Sequence, residues 1–172
     1  TLREPPRHLK RASYVFLTKC GDADNAEFIA ELRRHNRVAE IIECRHRPMH
    51  LENIHTREKF PLEGLYGAHI GDISGIAVPE SFEDGLKKLG AKVDLVRRFA
   101  DHHRFSSRDI QQFVDRCERR DVRMIVTTEK DFVRFPQIPP PEAFPICFLR
   151  VEIEIVRGKQ AFDRMIHVLC DP

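Results

Sequence analysis

The stretch HIGDISGIAVPESFEDGLKKLGAKVDLVRRF, residues 69–99, decides the fold. A short apolar run breaks at Gly75, and apolar spacing resumes after Pro79 with Phe82, Leu86 and Leu89 at i, i+4 and i+7. Pro79 suits a first helical turn, where its missing N–H has no intrahelical acceptor to lose. Gly90 suits the helix end, because it takes a left-handed conformation without steric penalty. KVDLVRRF then supplies a second strand. Strands joined through a helix of this length are connected by a crossover, so they run parallel in a sheet covered by helices.

The same alternation continues downstream. Ser106 is a good N-cap with Asp109 three residues later, ahead of Ile110, Phe113, Val114 and Cys117 at i, i+3, i+4 and i+7. RMIVTT reads as a buried strand, EKDFVRF as a short helical turn, and PQIPPPEAFP as an extended connector. ICFLRVEIEIV is strand-like, its second half alternating Val151, Ile153 and Ile155 with Glu152 and Glu154, and a final helix carries Phe162, Ile166 and Leu169. Upstream, YVFL (Tyr14–Leu17) is a strand turning out through TKCGD. Asp22 or Asp24 caps a helix whose inner stripe is Phe28, Ile29 and Leu32. Between these regions, residues 39–66 show no helical period and read as a two-stranded ribbon turning near Pro48. The expected organisation is α/β. Residues 1–38 end one body, residues 39–66 form a β-ribbon linker, and residues 67–172 form a smaller, mainly parallel α/β/α domain.

Composition narrows the function classes. The 172 residues are 41% hydrophobic and 33% charged, which is enough for a core and argues against disorder. A formal charge of +2, with cations scattered among acids, gives no general electrostatic grip on nucleic acid. No run of about 18 apolar residues offers a transmembrane helix, and no signal peptide is visible. Cys20, Cys44, Cys117, Cys147 and Cys170 are scattered without a CxxC pair, the pattern of reduced intracellular thiols. The chain opens at Thr1 inside a charged segment, as a fragment of something longer would.

Open parallel sheets place ligands beyond the carboxyl ends of their strands. Three polar clusters fall there: ISGIAVP, ADHHRF (residues 100–105) and TTEKD (residues 127–131). Asp101, His102 and His103 admit three readings. A metal site needs three or four ligands, and no HxH, HExxH or cysteine partner supports one here. An acid/base device needs only one imidazole oriented by a carboxylate. The third reading is structural capping. Lys130 offers a point charge to phosphate or, as the plainer alternative, an ion pair with its acidic neighbours. LTKCGD invites comparison with the base-reading loop of P-loop nucleotide binders, but its spacing is one residue too long. The remaining histidines read as solvent-facing. The chain contains no GxxxxGK[ST], GxGxxG or GxSxG.

Four segments in this order, LREPPRHLKRASYVFLTKCGD, SGIAVPESFEDGLKKLGAKV, FADHHRFSSRDI and MIVTTEKDFVRF, resemble the C-terminal portion of the tetraacyldisaccharide 4'-kinase (lipid A 4'-kinase) family. One departure is Val78, where the family usually has arginine, so that loop is not counted as a phosphate contact. The resemblance implies a P-loop α/β body whose last part is residues 1–38, a β-ribbon, and a small C-terminal α/β body. It also implies transfer of the γ-phosphoryl group of ATP, with Mg²⁺, to the 4'-hydroxyl of a tetraacylated glucosamine disaccharide 1-phosphate. The enzyme would work peripherally at the cytoplasmic face of the bacterial inner membrane. Its partners would be the lipid A disaccharide precursor, that membrane surface and the P-loop portion of the same protein, with no nucleic acid.

Carried over by residue, His102 matches the family's DH histidine, which supports a catalytic aspartate of the preceding half, with Asp101 and His103 beside it. Arg3 and Glu4 match the LREP pair near the nucleotide, and Thr128, Lys130 and Asp131 match TEKD. No metal ligands are expected in this chain, nor ATP turnover by it alone. The competing readings are a non-catalytic α/β module that binds a lipid or protein partner, and a metal-dependent hydrolase using His102 and His103.

Overall fold

The computed structural model describes residues 4–21, 24–141 and 144–170. The chain forms two compact units, one of Thr1–Arg47 with Glu152–Pro172, the other of Pro48–Val151. The sequence suggested divisions after residues 38 and 66. The contacts divide the chain within two long strands instead, and residues 152–172 group with the N-terminal segment.

In the unit Pro48–Val151, β4 (His69–Ser74), β5 (Lys92–Arg98), β6 (Met124–Thr128) and the first half of β7 (Ile146–Arg157) lie in the order β7-β6-β4-β5, all parallel. Helix α2 (Pro79–Lys88) joins β4 to β5, and α3 (Ser107–Glu118) joins β5 to β6. After β5 the chain returns to the other side of β4, so the strand order reverses between β4 and β6.

Two apolar clusters form the core. One gathers Ile110, Phe113, Val114 and Cys117 of α3 with Ile73, Ile125 and Ile146; the other gathers Leu86 of α2 with Ile70, Val126, Cys147 and Leu149. Alternation along the strands sorts residues between them, and each fully buried aliphatic side chain contributes about 1.5–3 kcal/mol. Gly71 lets α3 approach: a Cβ there would lie 2.6 Å from Cys117 Sγ and 3.2 Å from the Phe113 ring.

The caps follow the local chemistry. Ser106 and Asp109 form a full capping box at the start of α3. Gly90, at φ +90°, ends α2; its N–H bonds to Lys87 O at 2.9 Å, and that of Ala91 bonds to Leu86 O at 3.1 Å. This pair of bonds satisfies carbonyls the helix would otherwise leave open.

Residues 39–66 differ from the expected ribbon. Pro48 lies inside one 14-residue strand, β2 (Glu40–Asn53). The chain turns after Asn53, whose Oδ1 accepts from His55 and Thr56 N–H, and returns only as the two-residue β3 (Lys59–Phe60), antiparallel to β2. Proline is tolerated in a strand where its missing N–H is not needed.

The unit Thr1–Arg47 with Glu152–Pro172 holds a 3-10 turn (Pro6–Arg11), β1 (Tyr14–Leu17) and α1 (Ala26–His35). It also holds the first half of β2, the second half of β7 and α5 (Lys159–Cys170). β1 runs parallel to β2. Asn36 uses its whole amide: Nδ2 donates to Leu9 O and Ala12 O, both at 2.8 Å, and Oδ1 accepts from Val38 and Ala39 N–H.

This unit buries less than the sequence suggested. α1 has no buried residue, and Phe28 of its expected inner stripe is 58% exposed. Ile153, Ile166 and Leu169 are also exposed. Periodicity marks an apolar face, but burial needs a covering element. Of the two candidate caps, Asp24 accepts from Ala26 N–H at 3.0 Å; Asp22 lies outside the described residues.

Candidate functional site

The switch between β4 and β6 brings the three polar clusters of the unit Pro48–Val151 together at the carboxyl edge of the sheet. Asp131, fully buried, accepts from Gly75 N–H at 3.0 Å and from the Thr128 hydroxyl at 2.8 Å, and it pairs with Arg134. Arg134 in turn donates to Gly75 O at 3.0 Å and to His103 O at 3.3 Å. One ion pair, its carboxylate fully buried and its guanidinium half-buried, thus ties the loops after β4, β5 and β6. The start of α4 (Glu129–Phe132) is fixed by Thr128, whose hydroxyl accepts from Asp131 N–H at 3.0 Å.

On this frame the loop after β5 makes a tight turn, with His103 N–H bonded to Ala100 O at 3.0 Å and His102 at φ +61°. A turn with its third residue in the left-handed region normally takes glycine or asparagine there. A histidine held there is a local strain of the kind that clusters at functional sites. The His102 side chain is 73% exposed, with Nε2 3.6 Å from Asp101 Oδ2. The other oxygen, Asp101 Oδ1, accepts from Lys130 Nζ at 3.2 Å. Desolvation acts to raise the Asp101 carboxyl, but the Lys130 hydrogen bond and the neighbouring His102 outweigh it and hold it below the ordinary aspartate range.

The two histidines take different positions. His103 turns inward, stacking on Phe99 at 4.3 Å between centroids and standing edge-on to Phe105. Its Nε2 lies 3.4 Å from Asp109 Oδ2. The side-chain and backbone bonds from Ser106, with His103 adding, hold Asp109 down at about 2. His103 therefore clasps the loop to the start of α3, while His102 presents a free imidazole face.

Lys130, whose side chain is about half exposed, donates to Asp101 Oδ1 at 3.2 Å. Glu4 belongs to the other unit. There it accepts from Arg11 at 2.6 Å and meets His8 Nδ1 at 3.1 Å, beside a cleft of about 870 Å³ lined by Leu9, Phe16, Phe28 and Leu32. Arg3 lies outside the described residues. No group of three or more His, Cys, Asp or Glu side chains among the described residues is arranged to hold a metal ion.

Sequence reasoning missed two residues. Arg134 carries the clamp, and its only signal was its position three residues after Asp131. Asp72 is fully buried in β4 with neither oxygen hydrogen-bonded. Burial first, then the charges of Glu83 and Asp131, push it up to about 8 against the opposing pull of Arg98. A lone aspartate inside the apolar run HIGDIS was the signal for it. The scattered histidines were also not uniformly exposed: Nε2 of His50 and of His55 is buried without a hydrogen bond, and burial lowers the His55 pKa.

Comparison with known proteins gives the family and the fold. A family model described as tetraacyldisaccharide-1-P 4'-kinase matches residues 1–170. The chain is 41% identical over 140 residues to the tetraacyldisaccharide 4'-kinase of Elusimicrobium minutum (strain Pei191), covering 80% of this chain and 36% of that protein. It is 34% identical over 164 residues to that of Anaeromyxobacter dehalogenans (strain 2CP-C), covering 94% and 43%. The crystal structure of the "apo" form of LpxK from Aquifex aeolicus in complex with ATP superposes with a TM-score of 0.59 at 19% identity. That match covers 97% of this chain and 46% of that one, and shows a shared mixed α/β fold. The chain spans less than half the length of these relatives. On the match across nearly all of its residues, the chain belongs to the tetraacyldisaccharide-1-P 4'-kinase family.

Proposed function

We propose that this chain is the C-terminal part of an ATP-dependent kinase that phosphorylates the 4'-hydroxyl of a tetraacylated glucosamine disaccharide 1-phosphate in lipid A biosynthesis. The observation that carries this reading is the family match over residues 1–170, which spans every loop that meets at the carboxyl edge. The exposed His102 on its left-handed corner, beside an ionised Asp101, supports it.

Phosphoryl transfer depends on positioning and charge stabilisation, with a group that orients the attacking hydroxyl. An imidazole can hold a neighbouring carboxylate by a hydrogen bond and take part in its proton traffic. In this reading His102 serves an aspartate base supplied by the P-loop portion of the same protein. Asp101 fixes the ring of His102, and His103 fixes the loop.

ATP and Mg²⁺ belong to the whole enzyme. This reading assigns Mg²⁺ to the P-loop portion; among the described residues of this chain no group of three or more His, Cys, Asp or Glu side chains is arranged to hold an ion. Nor does the sequence hold a P-loop. Arg3 is the residue the family motif offers to the nucleotide, with Glu4 beside it. The enzyme works peripherally at the cytoplasmic face of the inner membrane, and no described helix is long and apolar enough to cross a membrane.

The test is direct. The polypeptide containing the family's full length, given ATP, Mg²⁺ and the disaccharide 1-phosphate, should yield a 4'-phosphate monoester detectable by mass spectrometry. The 172 residues alone should yield none. Binding of the lipid by the longer polypeptide without product would favour the non-catalytic module instead.

A further inference from the structure

Two side chains from the segment after β6 grip the loop that carries His102. Lys130 Nζ holds Asp101 Oδ1 at 3.2 Å, and Arg134 Nη1 holds His103 O at 3.3 Å. The grip comes from a rigid base, because Asp131 is fully buried and bonded to Gly75, Thr128 and Arg134. From the other side, His103 is fixed by its stack on Phe99 and its contact with Asp109. Asp101 and His103 flank His102, so both neighbours of the left-handed residue are tied while its own side chain is left exposed. A loop whose flanks are clamped and whose centre is strained presents one side chain in one place. Such support is what a site needs to hold its geometry within about half an ångström.

We infer that Lys130 is a positioning residue: by occupying one oxygen of Asp101 it turns the other toward His102, and so sets the orientation and charge environment of that imidazole. The inference rests on the role given to His102 above but concerns a different residue. It assigns the lysine of TTEKD to the loop after β5, where the sequence alone left it between phosphate and a surface ion pair. As an exposed pair, Lys130–Asp101 adds little to stability, about 0–1 kcal/mol. Its removal therefore leaves the fold in place and exposes the positioning effect.

Lys130→Met keeps the aliphatic stem and removes the charge. Two readouts apply. In the 172-residue chain, the His102 ring protons are followed by NMR at one fixed pH. Freed of the lysine, Asp101 no longer holds one carboxylate oxygen toward His102, so the His102 ring signals should shift, and Lys130→Arg should return them toward their starting positions. In the longer polypeptide, kcat should fall on the order of ten-fold, the cost of a misplaced catalytic group. KM for ATP should stay unchanged, and Lys130→Arg should recover most of the loss. His102 ring signals that do not move in Lys130→Met overturn the inference, whatever the activity. Full turnover in Lys130→Met alongside lost turnover in His102→Ala also overturns it while leaving the kinase reading intact. Full turnover in both variants, with shifted His102 ring signals, removes the kinase role of His102 and leaves the Lys130–Asp101–His102 coupling standing.

Discussion

Replacing Asp72 by asparagine should stabilise the protein at alkaline pH, and the size of the effect follows from where Asp72 sits. Its carboxyl is fully buried in β4, makes no hydrogen bond, and is pushed from 3.8 to about 8 chiefly by burial, then by Glu83 and Asp131. Between those values the folded state holds a proton that the unfolded state has released. The folded state therefore binds more protons, and stability falls as pH rises across this window. The contribution is fully present below about 4 and is lost as pH passes through about 8. Each pH step of one between the two values is worth about 1.4 kcal/mol, so the full difference is roughly 6 kcal/mol. Relaxation around the charged form reduces this, so the expected loss between pH 4 and 9 is about 2–4 kcal/mol. That is a large share of a typical net stability of about 5–15 kcal/mol.

Asp72→Asn has almost the same shape and no ionisation. Urea denaturation at half-unit pH steps from 4 to 9 should give a falling midpoint for the wild type and a flatter one for the variant. The curves should lie within about 1 kcal/mol of each other at pH 4 and separate progressively from about pH 5 upward. Parallel curves across the whole range would falsify the assignment of an uncharged, unpartnered Asp72.

Two further outcomes test the packing. Gly71→Ala should cost about 1–3 kcal/mol through overpacking, since the new Cβ would meet Cys117 Sγ at 2.6 Å; combining it with Cys117→Ala should recover part of that loss in the same denaturation assay. In the folded protein Cys170 should react with a thiol reagent well before the other four cysteines. It alone is exposed, while burial first of all raises Cys117 and Cys147 to about 12, and mass spectrometry of the singly labelled chain reads the site.

The unit Pro48–Val151 was legible because its signals were local and mutually consistent. Pro79 and Gly90 bound one helix, Ser106 and Asp109 cap the next, and the apolar positions Ile110, Phe113, Val114 and Cys117 are all buried. The crossover rule then brought the three polar clusters to one edge, where hydrogen bonds join them. Residues 39–66 misled because a proline inside a long strand looks, in sequence, like a turn. The apolar faces of α1 and α5 misled for a different reason. A periodic stripe states what a helix can bury, while Phe28 and Leu169 are exposed among the described residues. Roles within the site were less legible than its location. His102 and His103 are adjacent and chemically identical, and only the backbone turn sends one outward and the other onto Phe99. Asp72 and Arg134 gain their meaning from burial and from partners distant in sequence, which no local pattern records.

The central claim is that His102 serves phosphoryl transfer. Steady-state kinetics of His102→Ala in the longer polypeptide, beside its urea midpoint, test it most directly. A loss of kcat on the order of 100-fold, the scale of assisted proton transfer, with a midpoint within about 0.5 kcal/mol of wild type, is the expected result. Unchanged kcat in a folded His102→Ala protein would contradict the account.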